Sequence, residues 1–394
     1  MERRILVAGG GIAGLSAALA LSRQGLAVTV LEQAAAPAST GAGIQLSPNA
    51  TRLLQKLGAL ERLEGLAVRP DSVTLRDARS LVELARLPLG DAAEKRWGAP
   101  YLTAQRADLQ GALAQAVAEE QLIEVRYGRA VEAAAILEMP QGVQVDRRDE
   151  AGLLIGADGV WSAVRQVVRP GAGRGSRFTG ALAWRATVGV DSAAAGLLAQ
   201  FGAARQVVAF LDPNGHMIVY PIAGGRAFNL VAFSPGPPGQ HEWSADGDIS
   251  SLLRTLHRSA KVLHELIGMA PPWTVFPVHA VDASAPWTRH GRLALVGDAA
   301  HAMTPYAAQG AAMAIEDAVT LAEAIVGAGP QSQALSAWED ARRRRVLRVA
   351  RRGAFNRFVW HARGPVAFAR NLVLGLRSPD RLAADLDWLY GWRP

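Results

Sequence analysis

No cysteine occurs in the 394 residues, which excludes disulfides, thiolate metal sites, iron–sulfur ligation and a cysteinyl nucleophile. Reactivity must come from another source. The eight histidines, His216, His241, His257, His264, His279, His290, His301 and His361, avoid the close helical pairs of metal sites, which argues against a metalloenzyme. Long apolar runs are also wanting: beyond Ile5 to Leu21, no segment reaches the roughly 20 residues of a membrane span. That one run carries Gly9, Gly10, Gly11 and Gly14 and lacks a cleavage site with a plausible mature start, so it is not read as a signal peptide. The expectation is a cytoplasmic protein without stable membrane association. The formal charge is +7, but its densest run, Arg342 to Arg345 followed by Arg348, Arg351 and Arg352, lacks the aromatic interleaving of a nucleic-acid surface. It is read as a solvated or subunit-facing helix surface of a monomer or homodimer that binds no nucleic acid.

What is present describes a globular α/β chain, half hydrophobic and long enough for two intimately packed domains or one large one. Ile5 to Ala8 reads as a strand, Ile12 to Gln24 as a helix and Ala27 to Leu31 as a second strand, which together make a βαβ unit. Arg106 to Glu120 has helical spacing, and Leu153 to Ile155 and Leu293 to Val296 are short buried-type strands that each run into a Gly/Asp turn. Between them, Ala181 to Val190, Gln206 to Leu211, His216 to Ile222 and Arg226 to Ser234 read as an antiparallel sheet interrupted by a loop at Pro235 to Gly239. From Ala314 onward the composition is helical.

The chemistry begins at Gly9-Gly10-Gly11-Ile12-Ala13-Gly14, with Glu32 at the end of the next strand. Gly9 permits the tight turn, Gly11 lets backbone approach a pyrophosphate at the positive end of the helix, and Gly14 allows helix and strand to pack closely. Glu32 can accept hydrogen bonds from ribose hydroxyls and disfavours a 2′-phosphate, which leaves FAD or NAD as the ligand. Two later motifs choose between them: Gly156-Ala157-Asp158-Gly159 through Arg165, and Gly297-Asp298-Ala299-Ala300-His301.

With these three motifs in this order, the chain resembles the FAD-dependent aromatic hydroxylases, class A flavoprotein monooxygenases, over roughly residues 4 to 320. Gly41-Ala42-Gly43-Ile44-Gln45 through Ala50 is similar to the salicylate hydroxylase and 3-hydroxybenzoate 6-hydroxylase-like branch. The resemblance implies noncovalent FAD, held by Gly9, Gly11, Ala13, Gly14, Glu32 and the adjacent Gln33. It implies an Asp298 bond to the ribityl chain, flavin contacts from Pro305 to Ala311 (Pro305, Gly310 and Ala311 among them), and roles for Arg106 and Asp158. His301 is read as structural, and the Trp184-Arg185 pair as packing.

The implied reaction uses O2 and NAD(P)H: the nicotinamide reduces FAD, and oxygen passes through a flavin C4a-hydroperoxide to a small aromatic ring such as a hydroxybenzoate, salicylate or hydroxynicotinate. No second glycine finger for the nicotinamide is present, as in that family. An FAD-dependent dehydrogenase or oxidase, or a silent flavin-binding protein, is the alternative. Ring activation calls for a proton acceptor, and period-two alternation places His216 and Tyr220 on one face of a strand, with Gln45 beside the flavin. The expected fold is a discontinuous Rossmann-like FAD-binding domain (1–170 and 280–320), a β-sheet substrate domain (171–279) and C-terminal helices (321–394).

Overall fold

A computed structural model describes residues 4–36, 42–171, 175–237, 245–270, 272–327 and 329–394. Gly41, His241 and part of the expected loop at 235–239 lie outside them.

Ile5–Ala8 is an unbroken apolar run, buried on both faces as a central parallel strand requires. It is flanked in parallel by Leu153–Gly156 and Val28–Glu32, and Leu293–Leu295 and Ile123–Tyr127 extend the sheet on either side. The short strand Thr288–Arg289 closes one edge in antiparallel fashion. The helix Ile12–Ser22 is buried nearly all round because it is wedged between this sheet and the helix Gly310–Ile325. The expected βαβ unit and the two later strand returns therefore form one sheet.

A second, eight-stranded sheet runs in the order Ala245–Asp246, Thr274–Val281, Ser176–Gly189, Ala227–Pro235, Gly215–Ile222, Gln206–Asp212, Ser72–Asp77, Glu83–Pro88. The four expected middle strands are its centre. Its far edge comes from residues 72–88, which the sequence reading assigned to the first domain; Ser72–Asp77 joins by parallel pairing with Gln206–Asp212. Alternation separates its two faces. Val208, Phe210, Met217, Val219 and Leu230 pack against the helices Ala193–Gln200, Ile249–Thr255 and Lys261–Met269. The other face, with Val207, Ala209, Ile218 and Tyr220, looks into a cleft between the two sheets. The long helix Gln331–Trp360 and the helix Gly364–Leu376 complete the fold, the latter resting on the edge strand Glu83–Pro88.

Candidate active site

The cleft encloses about 700 Å³ and runs from the glycine turn to the open face of the second sheet. The turn at its head is set by steric necessity. Gly9 has φ +106°, and a Cβ there would stand 2.5 Å from the Ala157 carbonyl oxygen. A Cβ on Gly14 would lie 1.9 Å from the Gly9 carbonyl oxygen. Gly14 does not line the cleft; its contribution is the close packing that lets the helix begin there, not ligand contact. Gly11 and Ala13 do line it, at the N-terminus of Ile12–Ser22. Glu32 holds the turn from the neighbouring strand end, accepting from the backbone N–H of Gly10 and, at 2.7 Å, from that of Ala34. Its carboxylate and Gln33 also face the cleft.

Three groups on this side have unused polar capacity. Burial raises the Asp158 carboxyl; one of its oxygens accepts from the N–H groups of Ala163 and Val164, and the other is buried without a partner. Asp298, at the start of a short helix, makes no side-chain hydrogen bond among the described residues, and neither does Arg106 at the cleft rim. A hydroxyl-bearing, phosphate-containing ligand fits these donors and acceptors, and the open space before Gly11, where a Cβ would meet no atom within 4 Å, admits its approach. Pro305, Gly310 and Ala311 form the opposite wall, with the N-terminus of Gly310–Ile325 turned to the cleft. No histidine lines the cleft among the described residues.

A buried polar lattice supports that wall, and the sequence reading missed it. Asp317 accepts from the Gly297 N–H at 2.9 Å, from His301 Nε2 at 2.5 Å and from Arg342 Nε at 2.8 Å. Burial opposes charge on Asp317, yet the His301 and Arg342 partners hold it below the ordinary aspartate range. Glu316 receives Arg342, Arg345 and Asn49, and Asn49 leads on to Gln309. The helix Gly310–Ile325 thus fixes the Gly297-Asp298 turn from behind, and His301 takes the structural place expected for it. Arg342 is 2% exposed, so the solvated-surface reading of its arginine run is corrected at this residue. The adjacent acids Glu316-Asp317 in the otherwise apolar stretch 310–319 were the available signal.

At the other end, the floor consists of rows that cross the second sheet. Arg185, Val231, Ile218, Ala209, Leu75 and Ala85 are successive partners in one row. Asn229 and Tyr220 pair in the next. Gly43 lies directly on them: its N–H donates to Asn229 Oδ1 at 2.8 Å, and a Cβ there would come within 2.8 Å of both side chains. Gln45 follows on the same strand and accepts from Tyr101 Oη at 2.7 Å. Burial raises the Tyr220 phenol, against the opposing influence of Arg185 and Gln45, so it stays protonated at neutral pH. Tyr220 and Gln45 both line the cleft.

His216 does not. It shares the Tyr220 face of the strand, as alternation requires, but sits two rows away, beyond Ile218, and is fully buried. Its ring stacks on Phe233 at 4.8 Å and meets the edge of Trp360 at 4.9 Å, and its Nδ1 lies 3.0 Å from His361 Nε2. This corrects the expectation of a histidine open to the ring: Trp360 and His361, from the far end of the chain, and Tyr306 cover it. Burial, then His361, holds His216 well below 6.5; burial, then Arg357 and Arg363, lowers His361 to about 4.

Such a pair makes stability pH-dependent. The unfolded chain binds protons at both rings below about pH 6.5, whereas the folded chain resists them, so their stabilisation is complete above that pH and lost as pH falls toward 4. The loss amounts to at most about 1.4 kcal/mol per pH unit for each ring. The melting temperature should therefore fall between pH 7 and pH 5, less steeply in His361→Asn; equal slopes in the two proteins would contradict the assignment.

Comparison with known proteins gives consistent matches. Residues 2–353 match the family model described as FAD binding domain. The 3-hydroxybenzoate 6-hydroxylase of Polaromonas naphthalenivorans (strain CJ2) is 35% identical over 398 residues, covering 98% of this chain and 96% of that protein. The 3-amino-4-hydroxybenzoate 2-monooxygenase PtnB3 of Streptomyces platensis is 37% identical over 399 residues, covering 99% and 96%. Among solved structures, Klebsiella pneumoniae HpxO complexed with FAD and uric acid superimposes with a TM-score of 0.82 at 26% identity, covering 98% of this chain and 95% of that one.

Proposed function

The chain belongs to the FAD binding domain family and is an FAD-dependent aromatic hydroxylase, and from that premise we propose which of its residues hold the cofactor and which meet the ring. The carrying observation is the single cleft that joins the glycine turn to an apolar floor with a few polar side chains. Gly9, Gly11, Ala13, Glu32 and Gln33 would hold FAD at one end, Arg106, Asp158 and Asp298 beside them, and Pro305, Gly310 and Ala311 from the far wall. When bound, FAD supplies the redox chemistry by which ring C–H, O2, NAD(P)H and a proton become ring C–OH, NAD(P)+ and water.

The protein's own part is positioning and exclusion of water. Val73, Leu75, Val207, Ala209 and Ile218 offer a flat apolar bed for a small ring such as a hydroxybenzoate or hydroxynicotinate. The neutral Tyr220 phenol donates to a ring oxygen and so orients the ring, a bond that is strongest when that oxygen has lost its proton ahead of oxygen transfer. Tyr101 holds the Gln45 amide in place at the same end. We assign His216 a positioning role, supporting the aromatic wall of Phe233, Tyr306 and Trp360.

The reading is tested by following NADH and NADPH oxidation, peroxide release and product over a panel of aromatic acids and phenols. A substrate should accelerate oxidation and yield hydroxylated product in near-equal amount; if every ring gives only peroxide, the reading fails. In the same assay, Tyr220→Phe should lower the yield of product per nicotinamide, and His216→Ala should leave the pH profile of hydroxylation in place. A shifted profile in His216→Ala with FAD retained would restore the imidazole as proton acceptor.

A further inference from the structure

Trp184 and Arg185 are adjacent but face opposite ways. Trp184 is buried among the helices behind the second sheet, and its Nε1 donates to Ser234 Oγ at 2.9 Å. Arg185 points to the cleft. Its Cζ stands 4.5 Å over the Phe276 ring, and among the described residues its guanidinium makes no hydrogen bond and no ion pair. On the cleft side of Arg185 its row across the sheet, Val231, Ile218, Ala209, Leu75 and Ala85, is apolar, and on the other side Thr274 and, beyond it, Asp246 make no bond to the guanidinium. The carboxylates that line the cleft, Glu32, Asp158 and Asp298, belong to the cofactor end.

A half-buried cation with one aromatic face and no acid is under-satisfied. Its five N–H donors are directed by a rigid plane that matches a carboxylate in two-point fashion. A neutral ring seated on this floor would strip water from Arg185 and return nothing, a cost that an anionic substituent removes. Burial, with Arg106 nearby, already lowers the Arg185 pKa, the direction expected of a cation short of counter-charge.

We propose that Arg185 is the anchor for a carboxylate on the aromatic substrate and thereby restricts this site to aromatic acids. The proposal rests on the hydroxylase reading and adds its specificity. Arg185 is a ligand-binding residue here, not the packing residue its place beside Trp184 suggests.

The test is a binding titration on the oxidised holoenzyme without reductant, read by the perturbation of the flavin absorption spectrum. The probes are 3-hydroxybenzoate and salicylate, each with its carboxamide. Arg185→Gln should weaken the better acid about tenfold to a hundredfold and its amide by no more than about twofold, since only the charged hydrogen bonds are lost. Arg185→Lys, which keeps charge but not the fork, should fall between. Equal weakening of acid and amide, unchanged acid binding, or loss of FAD from both variants would overturn the proposal; the last would place Arg185 among the groups that hold the cofactor. Wild-type protein that binds neutral phenols and no acid would overturn the anchor alone, whereas wild type that binds no ring would overturn the hydroxylase reading.

Discussion

Gly11→Val should lose FAD affinity by more than about a hundredfold and yet fold normally, the roughly 3 kcal/mol being what an overpacked contact typically costs. The two halves of this expectation have separate causes. Gly11 has φ −78° and ψ −173°, extended backbone that any residue adopts, and a Cβ there meets no protein atom within 4 Å. Nothing in the folded chain resists the side chain. The space it fills is the mouth of the helix Ile12–Ser22, where the proposed cofactor placement has backbone N–H groups meet a pyrophosphate. Apart from a weaker helix cap worth about 1 kcal/mol, stability without flavin should be that of the parent. Gly14→Ala is the contrast, since its Cβ would stand 1.9 Å from the Gly9 carbonyl oxygen and must break the turn itself. Flavin content after gel filtration, with thermal unfolding of the flavin-free proteins, separates the cases. Stoichiometric FAD in Gly11→Val would refute the placement of the cofactor against this turn.

Arg342→Met should destabilise the protein by about 3–5 kcal/mol, the cost typical of leaving a buried charge without its partner. A surface arginine on a long helix would cost almost nothing. Arg342 bonds both Glu316 and Asp317, and both acids are fully buried. Its removal leaves Glu316 to Arg345 and Asp317 to His301. Because Asp317 also accepts from the Gly297 N–H, the turn that carries Asp298 should loosen and FAD should bind more weakly. Urea unfolding with and without added FAD measures both effects. Adding Asp317→Asn should recover part of the loss, since it removes one of the stranded charges. A loss below about 1 kcal/mol in the single variant would return the residue to the surface role that its arginine-rich neighbourhood suggests.

The difference between those two residues marks where sequence reading works. Gly11 was legible because its requirement is local: a strand, a tight turn, a helix start and an acid at the next strand end lie within about thirty residues, and each follows from backbone geometry. The Gly/Asp turns at Asp158 and Asp298 were legible for the same reason, as was the alternation that sets His216 and Tyr220 on one face of a strand. Alternation assigns a face; it does not say what covers each position along it.

Tertiary packing decided the rest. Residues 72–88 join the second sheet through a parallel pairing with residues some 130 positions later, a contact no local pattern announces. His216 is closed off by Tyr306, Trp360 and His361, which approach from distant segments, while Tyr220 two rows along remains at the cleft. Arg342 and Arg344 sit two residues apart in one run of like composition, yet only the first is buried, because a helix turns about 100° per residue and one side of it meets Glu316 and Asp317. Arg185 is exposed to the cleft for the complementary reason: its strand shows Trp184 to the helices behind and leaves the next side chain, whatever its charge, on the floor. Local sequence determined the elements, the glycine and Gly/Asp turns and the faces, since these depend on backbone conformation and short-range period. Which charged groups are buried, paired or left open to a ligand depended on desolvation by remote parts of the chain, and that exists only once the two sheets and the C-terminal helices are assembled.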